Sequence, residues 1–394
     1  MNHRRRIYLD WASAAPVSTC AGRALARALR AYGNPSSPHA EGRAAREALE
    51  EARKTIARLA GAKRRAVVFT SGATEANALA IQGRVKRCRQ EGRPYGDMHV
   101  LYLQTMHSSA LKTIEELGKL GVHTEPMRLA DGTIDLEAFK AQLAPETVLV
   151  CADAVCGETG TRFDTLRLRR AIDAARASVP DALLHVDASQ LPLVEPIEHT
   201  RLGADLLVLD AQKVGGVRGI GALVIPRQNA VSAIMQGGGQ EAGLRPGTEP
   251  VALAAAFAAA LQECDRTHAA FAARAERARS ELQASLLRGY PGLLVNETKR
   301  QAPHILNVSL PGLDTDYAVA LLDAEGIAVS TKSACETDST EGSPVVFALT
   351  GDRARAEATL RISWGPQTTR RELRRFAKAF ARTVAFLSAH PSPH

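Results

Sequence analysis

Short, nearly uninterrupted apolar runs recur along the first part of the chain and alternate with longer amphipathic segments. Apolar runs bounded by polar residues or glycine are typical of strands that are buried on both faces of a sheet. Seven runs are predicted to be strands: Val67–Thr70, Val100–Leu103, Val122–Met127, Thr147–Cys151, Ala182–Val186, Leu206–Leu209 and Ile220–Ile225. Their alternation with helical segments predicts an α/β fold built on a mainly parallel sheet.

The amphipathic segments predict helices near 73–90, 107–119, 135–143 and 164–177, and a long helix from Val251 to about Arg288. Beyond the long helix, the pattern changes to a compact α+β unit. Its predicted elements are strands 305–310, 327–330 and 359–363, and helices 316–325, 343–349 and from 369 onward. We therefore predict a large domain at 15–260 and a smaller one formed by 1–14 and 261–394, with a mobile loop at about 331–343.

Composition limits the possible classes of protein. The chain has 394 residues, 45% of them apolar, which is enough for a large core, and no stretch reaches the ~20 apolar residues of a membrane span. The basic start runs into polar residues instead of an apolar signal core, so we expect a cytoplasmic protein with no membrane contact. The net charge of +8 is spread over amphipathic helices, which argues against direct nucleic-acid binding.

The six cysteines are scattered without a Cys-x-x-Cys pair. This spacing argues against a disulfide framework and against a structural zinc site, and no stable metal site is predicted. A scattered cysteine can still have a chemical role of its own.

Lys213 follows the buried run Leu206–Leu209, and Asp187 ends another strand at His185–Gln190. A lysine desolvated at a strand end has a lowered pKa and can attach an aldehyde cofactor covalently, while an aspartate can keep a pyridine nitrogen protonated. Taken singly, such a lysine is usually a solvated loop cation, and such an aspartate is commonly a helix cap or a ligand to a metal or a ribose. The occurrence of both residues at strand ends is therefore more specific for such a cofactor than either residue alone.

A third element supports the pair. In Thr70–Asn77, a strand runs through a small-residue turn into a helix start, where the backbone N–H groups of Gly72, Ala73 and Thr74 can cradle a phosphate. Since parallel strands place their ligands beyond their carboxyl ends, these elements are expected to converge. Together they predict a site for pyridoxal 5'-phosphate (PLP).

The order and spacing of the motifs resemble one family over essentially the whole chain: the NifS/IscS-like cysteine desulfurases, within the class V aminotransferase family of PLP enzymes. The matching stretches are Tyr8–Asp10, Gly33–Ser37, Thr70–Asn77, His185–Gln190, Lys213 with Gly219–Leu223, Gly237–Gly239, Gly247–Thr248, Ala302–Ser309 and Ser333–Cys335. The resemblance implies the aminotransferase-like fold of type I, with a seven-stranded large domain and a smaller α+β domain.

The resemblance also implies roles around the cofactor. Lys213 would be its covalent attachment point, Asp187 would face the pyridine nitrogen, and Gln190 would donate to the phenolic oxygen. His107 would stack over the ring and shuttle protons, since its unperturbed pKa lies near neutrality. Thr248 would reach the phosphate of the other subunit's cofactor, which implies a homodimer.

The substrate implied is L-cysteine. Arg361 would bind its carboxylate through the planar guanidinium fork, and Asn34 would be a lesser contact to the same carboxylate. Cys335, in a long polar loop, would attack the sulfur of PLP-bound cysteine, keep it as a persulfide and release alanine. The sulfur would then pass to an acceptor protein, either an iron-sulfur scaffold or a tRNA-thiolation enzyme. Cys335 could also lend a transient ligand to a nascent cluster.

Several residues depart from the family pattern, among them three near the expected cofactor: Asp210, Gln212 and Cys156. Asp210 and Gln212 stand where Ser-x-His usually donates to the phosphate, and Cys156 stands in a segment that usually supplies an asparagine. An ionised Asp210 would repel a phosphate unless Arg218 offsets its charge, the side chain turns away, or the phosphate site as a whole is rebuilt, and the sequence leaves these three alternatives open. Two alternatives therefore stay open: another class V PLP enzyme, such as a selenocysteine lyase or an aminotransferase, and a non-catalytic dimeric scaffold.

Overall fold

A computed structural model describes residues 6–227, 229–331 and 342–390. Its strands are β1 (Ile7–Tyr8), β2 (Val67–Thr70), β3 (His99–Tyr102), β4 (His123–Pro126), β5 (Leu129–Ala130), β6 (Thr133–Ile134), β7 (Thr147–Asp153), β8 (Leu183–Asp187), β9 (Leu206–Asp210), β10 (Gly221–Val224), β11 (Leu294–Val295), β12 (Ile305–Ser309), β13 (Ile327–Ala328) and β14 (Thr359–Ser363). Most of the loop predicted at about 331–343, including Cys335, lies outside the described residues.

The helices of the described residues are α1 (Thr19–Ala28), α2 (Ala40–Leu59), α3 (Ala73–Gln90), α4 (Ser108–Lys119), α5 (Leu136–Gln142), α6 (Thr165–Ala174), α7 (His199–Leu202), α8 (Val251–Gly289), α9 (Thr315–Ala324), α10 (Pro344–Thr350), α11 (Arg353–Glu357) and α12 (Arg370–Ala389). None of them is both long enough and apolar enough to span a membrane. The two longest predicted helices of the second half, α8 and α12, are confirmed.

All seven predicted strands of the first half lie in one sheet, in the order β2-β10-β9-β8-β7-β3-β4. Neighbouring strands are parallel except β10, which is antiparallel to both β2 and β9. Every residue of β7, β8 and β9 is buried, as expected of strands covered on both faces. The prediction of a mainly parallel seven-stranded sheet is confirmed.

The carboxyl edge of this sheet is unusually acidic. Three adjacent strands, β7, β8 and β9, each end in an aspartate: Asp153, Asp187 and Asp210. Asp153 and Asp187 are direct partners in the β7–β8 register. Parallel register thus places three carboxyl groups along one edge, where an α/β sheet binds its ligands.

The second part of the chain has its own antiparallel sheet, in the order β11-β12-β14. The chain's beginning joins this part, since β1 pairs in parallel with β13. Helix α8, about 58 Å long at the usual rise per residue, packs against α1 and α2 as well as α12. The division into domains at 15–260 and at 1–14 with 261–394 stays a prediction.

Candidate active site

Most of the predicted site residues meet in one cavity of about 330 Å³ at the acidic edge of the central sheet. The predicted residues that line it are Ala73, Thr74, His107, Cys156, Asp187, Gln190, Gln212, Lys213 and Arg361. Gly72 immediately precedes Ala73 and is the N-cap residue of α3. The structure therefore brings together residues that are up to 288 positions apart, between 73 and 361.

Two predicted residues that the structure describes, Asn34 and Thr248, do not line this cavity. Asn34 is exposed, and its Oδ1 accepts a hydrogen bond from the backbone N–H of Ser36 at 2.9 Å. Thr248 is exposed on the protein surface, and Cys335 lies outside the described residues. Since Thr248 is predicted to act in another subunit's site, its place outside the cavity of its own chain does not conflict with that role.

Lys213 reaches the cavity from a short 3-10 turn, Ala211–Lys213, that directly follows β9. Its Nζ donates to the carbonyl oxygens of Ala12 at 3.0 Å and Ser13 at 2.7 Å. Burial lowers the pKa of the Lys213 amine, and the positive charge of Arg361 lowers it further against the opposing effect of Asp210. A lysine of this kind holds a larger fraction of neutral amine near neutral pH than a solvated one.

Asp187 is held in place by two hydrogen bonds. Its Oδ2 accepts from the side-chain amide of Asn77 and its Oδ1 from the backbone N–H of Ser189, both at 2.9 Å. Asn77 is completely buried, and its Oδ1 lies 2.9 Å from Nε2 of His185. Asn77 was not singled out from the sequence as a site residue, although it ends the quoted Thr70–Asn77 stretch. It orients the carboxylate that is predicted to face the cofactor nitrogen.

Asp153 is a cavity residue that the sequence analysis missed. The predicted strand ended at Cys151, but β7 continues to Asp153, which is 5% exposed and faces the cavity. Burial raises the pKa of this carboxyl group well above its usual range, and the neighbouring charge of Asp187 raises it further. The repeated pattern of an apolar run ending in aspartate, shared with Asp187 and Asp210, is the signal that could have identified it.

Asp210 turns toward the start of α3. Its Oδ1 accepts from the backbone N–H of Gln212 at 3.0 Å, and its Oδ2 accepts from Gln212 Nε2 at 3.2 Å and from the backbone N–H of Ala73 at 3.5 Å. Burial raises the pKa of the Asp210 carboxyl group, and Lys213 is the cation that counteracts this effect. Its carboxylate is therefore held by local N–H donors beside the cavity, and Lys213 is the cation that acts on it.

His107, Gln190 and Cys156 are the remaining predicted residues of the cavity wall. His107 caps α4, and its Nδ1 accepts the backbone N–H of Ser109 at 3.1 Å. Gln190 donates from Nε2 to the carbonyl oxygen of Ala12 at 2.8 Å, which also accepts from Lys213. Cys156 is buried, and burial raises the pKa of its thiol to about 12, so it is a neutral and weakly polar wall residue.

Arg361 enters the cavity from β14 and is 3% exposed. Its Nη2 donates to Asp10 Oδ1 at 2.8 Å and to Ser13 Oγ at 2.5 Å, and its Nη1 donates to the carbonyl oxygen of Gly157 at 3.1 Å. Its Nε is buried without a hydrogen-bond partner among the described residues. A fixed guanidinium group with an unused donor is suited to bind a carboxylate.

The cavity fits PLP in its donor set. A buried carboxylate and a desolvated lysine lie at adjacent strand ends, as the pyridine nitrogen and the aldehyde of this cofactor require. Two wall hydroxyls, Thr105 Oγ1 and Ser189 Oγ, are buried with no hydrogen-bond partner among the described residues. A polar ligand in the cavity would give such groups partners. The described residues hold no cluster of three or more side chains suited to a metal ion.

The chain is similar to known proteins along most of its length. Residues 7–376 match the aminotransferase class-V family. The mitosomal cysteine desulfurase of Trachipleistophora hominis is 34% identical over 95% of this chain and 85% of that protein. The cysteine desulfurase IscS of Neisseria meningitidis serogroup C is 33% identical over 95% and 91%.

The fold is also similar to that of a known protein of the same kind. The solved structure of a NifS-like protein, 27% identical to this chain, superposes with a TM-score of 0.89 and covers 97% of this chain and 100% of its own. Class V aminotransferases and cysteine desulfurases are PLP-dependent, in agreement with the lysine and carboxylate of the cavity. The chain therefore belongs to the class V aminotransferase family and, within it, to the NifS/IscS-like cysteine desulfurases, which remove sulfur from L-cysteine with the help of PLP.

Proposed function

We propose that the cavity holds PLP between Asp187 and His107, with Lys213 as its attachment point, and that Arg361 binds the carboxylate of L-cysteine. The observation that supports this most strongly is the convergence of Lys213, Asp187 and Arg361 from three separate elements on one cavity. When bound, PLP supplies an electron sink that weakens the bonds around the α-carbon of an attached amino acid. All other steps depend on side chains of this protein.

Lys213 holds and moves protons at Nζ. The carbonyl oxygens of Ala12 and Ser13 accept hydrogen bonds from this atom and so aim it into the cavity. Its lowered pKa keeps neutral amine available near neutral pH, which both cofactor attachment and proton abstraction require.

His107 is proposed as a second proton carrier. Because Nδ1 accepts the Ser109 N–H, the neutral ring carries its proton on Nε2. Nε2 is thus the nitrogen that can exchange a proton with bound substrate, while the bond to Ser109 keeps the ring oriented. Gln190 and Cys156 are proposed to contact the cofactor beside it, and the N–H groups of Gly72, Ala73 and Thr74, with Gln212, are proposed to face its phosphate.

Cys335 accepts the sulfur atom of the substrate. Its thiolate forms an S–S bond with the sulfur of cysteine while the carbon–sulfur bond of the substrate breaks, and the electron pair of that bond remains on carbon, which takes up protons to give alanine. The resulting persulfide passes to an acceptor protein. We propose an iron-sulfur scaffold or a tRNA-thiolation enzyme as that acceptor; the IscS name of the similar bacterial proteins supports the first.

We also propose that the enzyme works as a homodimer in the cytoplasm, with Thr248 completing the phosphate site of the partner. Asn34 is proposed to approach the substrate carboxylate only when substrate is bound, since it is exposed outside the cavity lining.

Borohydride trapping tests the placement of the cofactor. Reduction of the PLP-loaded protein followed by peptide mapping should find the pyridoxyl group on Lys213. Lys213→Arg should carry none, and Lys86→Arg, which changes a lysine outside the cavity lining that donates to the carbonyl oxygen of Ala233, should be labelled like the wild type. Labelling of a different lysine in the wild type would contradict the proposed site.

A further inference from the structure

The end of the cavity where α3 begins already holds an anion supplied by the protein itself. The Asp210 carboxylate accepts three N–H groups, from the Gln212 backbone, the Gln212 side chain and the Ala73 backbone. Asp210 is 5% exposed, so water does little to screen its charge. The backbone N–H of Gln212, one side-chain N–H of Gln212 and one donor of the helix start are therefore engaged by this carboxylate.

The backbone around Asp210 keeps this arrangement in place. Gly221 on β10 is the register partner of Asp210 on one side and of Thr70 on the other. A Cβ atom at Gly221 would lie 2.7 Å from the carbonyl carbon of Gly72, so only glycine allows the turn before α3 to approach the end of β9 this closely. That approach brings the Ala73 N–H within reach of the Asp210 carboxylate.

A phosphate at the start of α3 needs the same donors. The first N–H groups of a helix have no partner within the helix and attract anions, and a phosphate monoester carries close to two negative charges near neutral pH. Two anions that share one set of donors in a buried site repel each other. Among the described residues, Lys213 is the cation that acts most strongly on Asp210, and it is the proposed attachment point of the cofactor.

We propose that Asp210 is a built-in competitor for the phosphate group of PLP. The cavity then holds the cofactor mainly through its ring and Lys213, and it discriminates weakly between PLP and pyridoxal, the same compound without phosphate. This inference rests on the proposed placement of PLP and concerns the specificity of that site for the phosphate.

Equilibrium binding of PLP and of pyridoxal to the full-length protein, freed of cofactor by dialysis, tests the proposal. The comparison is between wild type and Asp210→Asn at about pH 8, where the phosphate carries two charges. The amide keeps the shape of the side chain and removes its charge. We expect Asp210→Asn to bind PLP about tenfold or more tightly than wild type does, because a like charge is gone, and to bind pyridoxal within about threefold of wild type.

Asp153→Asn is the matched control, since it makes the same substitution at another strand-end carboxyl group in the same cavity, two strands away from β9. It should leave the ratio of PLP to pyridoxal affinity unchanged. The pyridoxal affinity of Asp210→Asn also reports whether its cavity is still folded. An unchanged or lowered PLP-to-pyridoxal ratio in Asp210→Asn would overturn the inference alone. Failure of wild type and variant to bind either compound would overturn the placement of the cofactor and the inference with it.

Discussion

Arg361→Lys tests the proposed substrate site most sharply, because it keeps the positive charge and changes only its geometry. In the structure, the two terminal nitrogens of Arg361 already serve Asp10, Ser13 and Gly157, and its Nε has no hydrogen-bond partner among the described residues. A lysine has a single nitrogen at its end. It can retain the ion pair with Asp10, but it cannot also serve the other two groups and a substrate carboxylate.

The expected size of the effect follows from the lost contact. A hydrogen bond to a charged group contributes about 1.5–3 kcal/mol, and each ~1.4 kcal/mol corresponds to a factor of ten. We therefore expect the KM for L-cysteine to rise about 10- to 160-fold in Arg361→Lys, with a much smaller change in kcat. The assay is steady-state formation of alanine over a range of cysteine concentrations, with urea unfolding of the same preparation.

Arg279→Lys is the matched control. Arg279 is also a buried arginine, which donates to the carbonyl oxygen of Ile305 and pairs with Glu297, but it does not line the cavity. Its replacement should lower the unfolding free energy without raising KM. A folded Arg361→Lys protein with the KM of the wild type would refute the assignment of Arg361 to the substrate carboxylate.

Three other changes have defined outcomes. Asn77→Ala leaves buried groups of Asp187 and His185 without partners and should lower the unfolding free energy by about 1–3 kcal/mol in urea; an unchanged value would show that Asn77 does not orient Asp187. Burial lowers the pKa of His304 to about 3, so below pH ~6.5 the unfolded chain binds a proton at this residue that the folded protein does not, and the unfolding free energy falls with the pH. This difference should account for about 2 kcal/mol of the fall in unfolding free energy between pH ~6.5 and ~5. His304→Gln should therefore show a smaller fall than the wild type, and a fall of the same size in both proteins would contradict this origin. Gly365→Ala would place a methyl group in the Trp11 ring and should cost about 1–3 kcal/mol, whereas Gly22→Ala, where the space is open, should cost nothing in the same assay.

The hydrophobic pattern predicted the central sheet well, because its strands are buried on both faces and their apolar runs are nearly uninterrupted. β8 and β9 are fully buried, for example, and were placed within one residue at each end. The same parallel topology explains why Lys213 and Asp187 could be expected to meet: Asp187 ends β8 and Lys213 follows β9, and the carboxyl ends of these strands share one edge.

The hydrophobic pattern of the sequence could not predict the direction in which a side chain points. Asp210 follows an apolar run just as Asp187 does, but its orientation depends on N–H donors from α3 and from the turn after β9, which come together only in the folded chain. Asp153 was missed because the predicted strand stopped at Cys151, while the β7–β8 ladder continues to the aspartate pair. Asn34 was assigned by resemblance alone, and the surface position it occupies gives no apolar signal to test that assignment.

The central claim, sulfur removal through a persulfide on Cys335, is tested most directly by a single turnover with L-cysteine. Alanine and protein-bound sulfur would be measured for wild type, Cys335→Ser and Cys156→Ser, the last being a buried cysteine of the cavity wall. The account predicts one persulfide per alanine in wild type, with the extra sulfur on the peptide that contains Cys335. Cys335→Ser should form no protein-bound persulfide, while Cys156→Ser should still form it. Undiminished persulfide formation by Cys335→Ser would contradict the account.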